Sequence, residues 1–395
     1  MEAGARVTRR AALFRLGGAL AGGMLATGCG VLVVGGGAGA AGTPAASGTP
    51  EATGSPSPQV LWSRPVGGVD ALLATGNVLC LGTEAVAAAT GALRWSAGPG
   101  VKQPALVSGA GGGMVLYTGT NADGSDDITA LSAVTGRVLW TAPSYVGDPN
   151  GGAGPWLTYA DGSVYALIGS PGSHQVEIDD VVLALDARSG ARKWMATLPP
   201  MAMAMAVADG RVYAGAALGP ESSSGTVVAL DGATGVQRWT TAVGSPVGAL
   251  AVTAGVVAGC WDSLIPYGKP LMFGLDATDG RVRWQRDVDL VMPPIAAAGG
   301  LVFALDLATG ELLAVDAVSG DVRWKQGGGQ FPSAPVVAGD AVCVGYRDSV
   351  CAYAAKTGQP LWSYPANGIN RNLAASDGIL FVASEDPYAL FALRV

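Results

Sequence analysis

The sequence predicts an all-β fold, an eight-bladed β-propeller, from three observations: a recurring hairpin motif, the spacing of its copies, and the two ends of the chain. The motif reads Ala-Leu-Asp-Ala-x-Thr-Gly-x-x-x-Trp in its fullest form. Seven Trp residues mark its copies: Trp95, Trp140, Trp194, Trp239, Trp284, Trp324 and Trp362. Successive copies lie 38 to 54 positions apart, the period of a propeller blade rather than of a helical solenoid.

Each copy of the motif predicts a β-hairpin. Apolar runs such as residues 227–230 precede the turn, and alternating runs such as residues 280–284 follow it, with the period of two that is typical of strands. A Thr, Ser or Asp followed by Gly suits a tight turn, because Gly accepts a positive φ and a hydroxyl can bond nearby backbone. Four copies carry an acidic residue just before the turn, which we expect to accept hydrogen bonds from turn N–H groups: Asp186, Asp231, Asp276 and Asp316.

The Trp column is predicted to pack between neighbouring blades, where the ring buries apolar area and the indole N–H finds a carbonyl. Trp62, near the start of the chain, belongs to the same column. Because a Trp recurs in every copy, its expected role is architectural, since a cofactor would need only one. A second column, in the preceding strand, is predicted to be core: Cys80, Tyr117, Tyr165, Tyr213, Phe303, Cys343 and Phe381.

The two ends of the chain supply the eighth blade. Residues 61–63 resemble the Trp strand of a hairpin without its turn, and residues 390–395 resemble the strand before a turn that does not follow. Pairing these two segments closes the ring of blades and leaves no open sheet edge between the first and the last blade.

The motif resembles the repeat of the quinoprotein-type, PQQ-like propeller family, whose units end in Ala-x-Asp-x-x-Thr-Gly-x-x-x-Trp. The resemblance covers roughly residues 59–395 and is specific for the fold. It is much less specific for activity, because the family includes quinone-dependent dehydrogenases related to quinoprotein alcohol dehydrogenase, bacterial envelope lipoproteins that act as scaffolds, and extracellular sensor domains. Size and layout are most similar to the lipoproteins.

Residues 1–42 are predicted to be a targeting segment rather than part of the fold. Residues 8–13, with Arg9 and Arg10, resemble a twin-arginine export signal. Residues 26–29 resemble a lipobox in which Cys29 would be lipidated, although the usual Leu stands one place early. Cleavage after residues 38–40, or retention as a membrane anchor of ~20 residues, are the alternatives. Each alternative places the propeller outside the cytoplasm, attached to the membrane or released, and residues 43–58 form a Pro/Ser/Gly/Thr/Ala linker.

The net charge limits the classes of partner that the chain is expected to bind. The formal charge is −7 at pH 7, which argues against nucleic acid and against anionic lipid headgroups. The sequence therefore predicts contact with the membrane through the N-terminus only, and a monomer.

Few residues of the sequence are candidates for catalysis or for binding a metal or cofactor. The single histidine, His174, stands in a Ser/Pro/Gly-rich loop and is expected to be solvated. Residues 121–127 only faintly resemble a calcium loop, and the three Met of residues 201–205, expected on one strand face, are ordinary packing residues more often than Cu(I) ligands. The dehydrogenase members of the family carry a vicinal Cys-Cys disulfide, whereas here no two cysteines are adjacent. We expect no catalytic residue, no metal and no cofactor; pyrroloquinoline quinone with calcium would be implied only if the chain were a dehydrogenase.

Cys343 and Cys351 flank a hairpin turn, and its register decides whether they can pair. A two-residue turn at Asp348 and Ser349 puts them on opposite faces, whereas a three-residue loop centred on Arg347 puts them directly opposite. The first register, with free buried thiols, is favoured.

Ligand or partner contacts are expected where the repeat is broken, at the following candidates: Asn370, Arg371, Asn372, Trp156 and Trp261. The predicted function is a non-catalytic scaffold that binds another envelope protein or an extracellular ligand. One alternative is an extracytoplasmic small-molecule sensor that uses the channel mouth near Asn370, Arg371 and Asn372. A quinone-dependent oxidoreductase is the third hypothesis.

Overall fold

The structure, a computed structural model, describes residues 57–67, 72–97, 106–111, 113–120, 126–143, 156–168, 180–218, 223–261, 271–288, 291–330, 332–366, 368, 372–385 and 388–395. These residues form 32 strands and no helix. The described part of the chain accordingly contains no helix with the length and hydropathy needed to cross a membrane. The predicted targeting segment and most of the linker, including Arg9, Arg10 and Cys29, lie outside the described residues.

The strands form eight antiparallel four-stranded sheets, the blades, each ordered from the propeller axis outward. Blades 1 to 4 contain β2 (Leu72–Thr75), β3 (Val78–Leu81), β4 (Glu84–Ala87), β5 (Leu93–Ser96); β6 (Leu106–Gly111), β7 (Met114–Thr120), β8 (Asp126–Ser132), β9 (Val138–Pro143); β10 (Trp156–Ala160), β11 (Ser163–Ile168), β12 (Val181–Asp186), β13 (Arg192–Thr197); and β14 (Ala202–Ala208), β15 (Arg211–Ala217), β16 (Gly225–Asp231), β17 (Gln237–Val243). Blades 5 to 7 contain β18 (Ala249–Thr253), β19 (Val256–Cys260), β20 (Leu271–Asp276), β21 (Val282–Asp287); β22 (Val291–Ala298), β23 (Leu301–Asp306), β24 (Glu311–Asp316), β25 (Val322–Gly327); and β26 (Val336–Ala338), β27 (Ala341–Gly345), β28 (Ser349–Ala354), β29 (Pro360–Pro365). Blade 8 contains β30 (Asn372–Ser376), β31 (Ile379–Glu385), β32 (Tyr388–Arg394) and, from the start of the chain, β1 (Val60–Pro65).

The predicted closure is confirmed. Strand β1 pairs antiparallel with β32, with Ser63 opposite Phe391 and Arg64 opposite Leu390. Each innermost strand also contacts the innermost strands of both neighbouring blades, so the ring is continuous. Eight blades, closed by the first and last strands of the propeller, are therefore the architecture that the repeat predicts.

The two faces of the propeller differ in how regular their connections are. On the turn face, the first and second strands of every blade are joined by two residues, as by Gly76 and Asn77, and the third and fourth strands of blades 1 to 7 by five residues, as by residues 88–92. On the opposite loop face, second-to-third-strand connections run from two residues (82–83) to twelve (169–180), and connections between blades from three (288–290) to twelve (144–155). The repeat fixes the turn face and leaves the loop face variable.

Side-chain size follows the taper of the blades. The innermost strand β14 is rich in Ala, whereas the rings of the two predicted columns lie on second and fourth strands, because neighbouring blades converge toward the axis. All seven residues of the second column are buried, with exposures of 0–2%, which confirms their prediction as core.

Each motif Trp ties its blade to the following one. The indole N–H of Trp95 donates to the Ala133 carbonyl at 2.9 Å, and that of Trp284 to the Ala317 carbonyl at 2.8 Å, both in the five-residue turn of the next blade. The equivalent bond, 2.8–3.3 Å long, is made by Trp62, Trp140, Trp194, Trp239 and Trp324. Trp362 is 7% exposed and packs in the core cluster that contains Leu393.

The turn Gly of the following blade lies directly over each of seven Trp rings. A Cβ added to Gly320, where φ is +77°, would stand 2.6 Å from the Trp284 ring. The same close approach, 2.5–2.7 Å, occurs at Gly91, Gly136, Gly190, Gly235, Gly280 and Gly358. The sequence predicts these glycines from turn geometry; the structure adds that no side chain fits between the turn and the ring.

Cys343 and Cys351 are free thiols, and Cys343 is buried as predicted, whereas Cys351 is only half-buried. Cys343 lies opposite Ala352 and Cys351 opposite Val344, so the two side chains point to opposite faces of blade 7. The turn consists of Arg347 and Asp348, whereas the favoured register placed it one residue later, at Asp348 and Ser349. Both registers put the two thiols on opposite faces of the sheet. Burial raises the pKa of the Cys343 thiol to about 12, which makes it a poor nucleophile.

Candidate functional site

Two of the predicted contact residues begin innermost strands at the loop face. Trp156 is the first residue of β10 and Asn372 the first residue of β30. They belong to blades 3 and 8, which blades 1 and 2 separate, so the fold places them on the same channel mouth but not side by side. Asn370 and Arg371 lie outside the described residues.

The two predicted Trp contacts differ in exposure. Trp156 is partly buried against the junction of blades 3 and 4, where Leu198 and Ala202 lie. Trp261 follows β19 at the loop face but is only 3% exposed, and its backbone N–H donates to the Leu271 carbonyl. The burial of Trp261 disfavours the contact role that the sequence suggests for it.

A buried carboxylate organises the entry of the chain into blade 4. Asp180 is 2% exposed, and its Oδ2 accepts a hydrogen bond from the Ala202 N–H at 2.5 Å. The residue before Ala202, Met201, has a φ of +59°, which is uncommon for a residue other than Gly. Asp180 fixes this sharp entry by satisfying a donor at the start of β14.

The three Met of residues 201–205 do not form the row on one strand face that the sequence predicts. Ala202 pairs with Ala216 and Ala204 with Gly215, so Met203 is an extra residue in a β-bulge. A bulge changes the face to which later side chains point. The expectation of three thioethers on one face is therefore wrong.

An aromatic niche between blades 6 and 7 was not predicted. Tyr346 and Tyr353 are 4% and 6% exposed, and a Cβ added to Gly327 would stand 3.1 Å from the Tyr353 hydroxyl, while one added to Gly329 would collide with the Tyr346 ring. Burial raises the pKa of the Tyr346 hydroxyl. The run of glycines at 327–329 is the sequence signal, because such a run permits close approach of backbone to a ring. The niche is packing at the loop face rather than a reactive centre.

The predicted acidic column caps the turns on the turn face. Asp231 Oδ1 accepts the N–H groups of Ala233 and Thr234 at 3.1 and 3.0 Å. Asp276 accepts the Thr278 N–H on Oδ1 at 2.7 Å and the Arg283 guanidinium on Oδ2 at 2.6 Å, and Asp231 likewise accepts the Arg238 guanidinium on Oδ2. The hydrogen bond from Arg283, followed by that from the Thr278 backbone, lowers the pKa of Asp276 to about 2.

The Arg283–Asp276 pair sets a pH dependence. Because the folded pKa of Asp276 is lowered, its ionised form stabilises the fold above the usual carboxyl pKa, and this contribution is lost as the pH falls from about 4 toward 2. We expect Asp276→Asn to cost no more than about 1 kcal/mol at pH 7, since the pair is partly exposed. Urea midpoints at pH 7 and pH 2.5 should show the cost shrinking at low pH. Arg283→Gln should show most of the same pH-dependent loss of stability. If both variants lost stability between pH 7 and pH 2.5 as the unmodified protein does, the assignment would be contradicted.

The vicinal disulfide that resemblance to the dehydrogenase branch implies requires two adjacent cysteines. Cys80, Cys260 and Cys343 lie on second strands of blades 1, 5 and 7, and Cys351 on the third strand of blade 7. No two are consecutive, so the residues do not fit that feature. In the described part of the chain, no group of three or more His, Cys, Asp or Glu side chains is placed to hold a metal ion. His174 and residues 121–125 lie outside it.

Comparisons with known proteins agree with this architecture. The family model described as outer membrane protein assembly factor BamB matches residues 82–194 and 178–395. Comparison with curated protein sequences gave no match. Among solved structures, BamB from Moraxella catarrhalis aligns with a TM-score of 0.59 at 17% identity, over 85% of this chain and 97% of that one. Quinohemoprotein alcohol dehydrogenase from Comamonas testosteroni gives 0.60 at 16%, over 85% and 76%. Saccharomyces cerevisiae Sqt1 gives 0.59 at 13%, over 86% and 99%.

Proposed function

This chain belongs to the PQQ-like β-propeller family whose model is described as outer membrane protein assembly factor BamB, and from this membership we propose a function. We propose that the chain is an exported, membrane-tethered propeller that binds another protein of the cell envelope. The proposed role is a non-catalytic scaffold. The assembly role in the BamB name belongs to that protein and is not transferred to this one.

The contrast between the two faces carries the proposal. On the turn face, all eight blades join their first two strands by two residues and blades 1 to 7 join their last two by five, whereas the loop-face connections vary from two to twelve. Loops held on a rigid scaffold are where binding residues concentrate. The loop face also exposes large side chains, since Leu218 and Tyr388 are 49% and 55% exposed. The loop face is therefore the proposed partner surface.

The twin-arginine-like segment, the lipobox-like Cys29 and the linker of residues 43–58 support export and tethering. Since β1 opens blade 8 directly after this linker, the tether enters the propeller through an outer strand. An outer-strand entry leaves the loop face accessible to a partner.

Partner binding is tested by affinity capture of the full chain from its own envelope, with quantitative mass spectrometry. We expect Leu218→Glu combined with Tyr388→Glu to reduce recovery of the main partner at least tenfold, because two exposed anchors become charged. Val236→Glu, 58% exposed on the turn face, is the matched control and should leave recovery unchanged.

Equal loss in both variants, or in neither, would contradict the assignment of the loop face. The oxidoreductase alternative is tested separately, by native mass spectrometry after addition of pyrroloquinoline quinone with Ca²⁺. A stoichiometric gain in mass would overturn the scaffold proposal, and we expect none.

A further inference from the structure

The outer rim of the propeller has two sectors of different chemistry. In blades 4, 5 and 6, the residue before the motif Trp is an Arg that pairs with the turn Asp: Arg238 with Asp231, Arg283 with Asp276, and Arg323 with Asp316, at 2.6–2.8 Å. In blade 2 the same two positions are Leu139 and Ser132. Neutral ion pairs thus cover one sector, and an exposed aliphatic side chain replaces them in the other.

Blade 2 carries three exposed aliphatic side chains on its outer hairpin, whereas the outer hairpins of blades 8, 1, 4, 5 and 6 carry one each, the last three being Val236, Val282 and Val318. We call the set on the adjacent blades 8, 1 and 2 the apolar rim: Val60, Leu93, Val134, Val138 and Leu139, which are 41–59% exposed. Exposed apolar side chains scattered singly need no explanation, whereas a cluster marks a contact surface.

The apolar rim spans three neighbouring blades that hydrogen bonds join in turn. Trp62 of blade 8 donates to the Ala88 carbonyl of blade 1 at 2.8 Å, and Trp95 of blade 1 donates to the Ala133 carbonyl of blade 2 at 2.9 Å. Val60 and Leu93 each stand two residues before one of these Trp, and Val134 follows Ala133 directly. Val60, Leu93 and Val134 therefore lie beside the junctions between these blades, and the other two rim residues lie on the outer strand of blade 2.

The charges around the apolar rim are cationic. Arg94, Arg137 and Arg394 are exposed on the outer strands and turns of these blades. Among the described residues of β1, β5, β9 and the turns 88–92 and 133–137, none is acidic. Glu84, at the loop-face end of blade 1, lies 3.8 Å from Arg64. The net charge of −7 hides this distribution.

We propose that the apolar rim and its three arginines dock on an anionic phospholipid surface. Arginines above aliphatic side chains are suited to a layer of phosphates over hydrocarbon. Self-pairing of this surface would bring Arg94 and Arg137 of two copies together, which like-charge repulsion opposes. The place where the predicted membrane tether joins the propeller favours lipid over an acidic protein as the binding partner. Residue 56, the last residue before the described part of the chain, stands four residues before Val60 of the apolar rim.

Docking at the rim deepens the proposed function and rests on its membrane tether. The linker predicted for residues 43–58, with 16 residues of Pro/Ser/Gly/Thr/Ala-rich sequence, would reach roughly 20–25 Å on average as a random coil. The tether therefore holds the rim within about one domain radius of the membrane, where weak docking becomes effectively intramolecular. When the propeller docks by this edge, its loop face stays open to a protein partner. The propeller then has two membrane contacts, the N-terminal tether and the apolar rim.

The test uses the full chain with its leader in vesicles of phosphatidylcholine, and in vesicles with three parts in ten of phosphatidylglycerol. Hydrogen exchange of the β5 and β9 amides is measured in both. We expect at least tenfold slower exchange in the anionic vesicles only, reversed by salt because screening weakens the attraction. Arg137→Ala combined with Val138→Ser should abolish most of the protection, since one arginine alone contributes about fivefold.

The chain supplies its own matched control. Arg281 and Val282 occupy the same hairpin positions in blade 5, and Arg281→Ala combined with Val282→Ser should leave the protection intact. Equal exchange in both vesicles, or equal effects of the two double variants, would overturn the docking. Protection that rises with protein density instead of anionic lipid would identify a second copy as the occupant. Failure of the full chain to float with any vesicle would instead refute the tether, and so separates the two proposals.

Discussion

Gly320→Ala should destabilise the propeller by about 3 kcal/mol, far more than a Gly→Ala change usually costs. Two terms add. A side chain at a φ of +77° costs about 1 kcal/mol, and overpacking against the Trp284 ring, 2.6 Å from the new Cβ, costs about 2 kcal/mol more. The free energy of unfolding in urea measures the sum.

A second glycine separates the two terms. Gly255 has a φ of +70°, and a Cβ added there would meet nothing within 4 Å. Gly255→Ala should therefore cost only the backbone term of about 1 kcal/mol. Equal costs at the two sites would show that the ring moves aside and that close packing of turn on Trp does not hold the blades.

A double-mutant cycle identifies the ring as the cause. Trp284→Ala alone should cost about 3–5 kcal/mol, because a buried ring and its hydrogen bond to Ala317 are lost. In that background Gly320→Ala should cost only about 1 kcal/mol, since the clash is gone. A coupling near zero would assign the whole effect of Gly320→Ala to the backbone.

The same turn sequence shows why the hairpins were predictable. Residues 304–310 read Ala-Leu-Asp-Leu-Ala-Thr-Gly, without a Trp five residues after Thr309. They form the same capped turn, with the Ala308 N–H on Asp306 Oδ1 at 2.8 Å, but between the second and third strands of blade 6, on the loop face. The short motif specifies the turn locally, and only the Trp, through its contact with the next blade, specifies which turn of the blade it is.

The candidate contacts were less predictable, for a reason visible in particular residues. Trp261 and Trp156 both interrupt the repeat, yet Trp261 is 3% exposed whereas Trp156 is partly buried at a blade junction. Exposure depends on loops whose course no local pattern fixes. The sequence did not predict the grouping of the rim arginines, because the net charge is a sum over the whole chain. That Arg94 and Leu93 belong to an exposed outer strand is known only once the order of the strands in the blade is known.

Removing the closing strand should have the largest effect of all. A chain that starts at residue 67 lacks β1, so β32 loses its outer partner strand and Ala88 loses the indole of Trp62. We expect loss of more than about 5 kcal/mol, which is comparable to the total stability of many domains, and aggregation through the exposed edge. Circular dichroism on heating and size-exclusion chromatography measure both. A chain that starts at residue 57 keeps all 32 described strands and is the matched control, for which we expect the stability of the full chain.

A peptide of residues 57–67, added to the shortened chain, distinguishes strand pairing from other sources of stability. The peptide carries the register of β1 with β32 and the Trp62 ring, so it should restore cooperative unfolding at high concentration. The same peptide with Trp62→Ala should fail, because pairing alone leaves the junction with blade 1 empty. Stable, monomeric behaviour of the shortened chain without peptide would mean that the ring of innermost strands, which stays complete from β2 to β30, is sufficient for closure. Terminal strand pairing would then protect an edge rather than hold the propeller together.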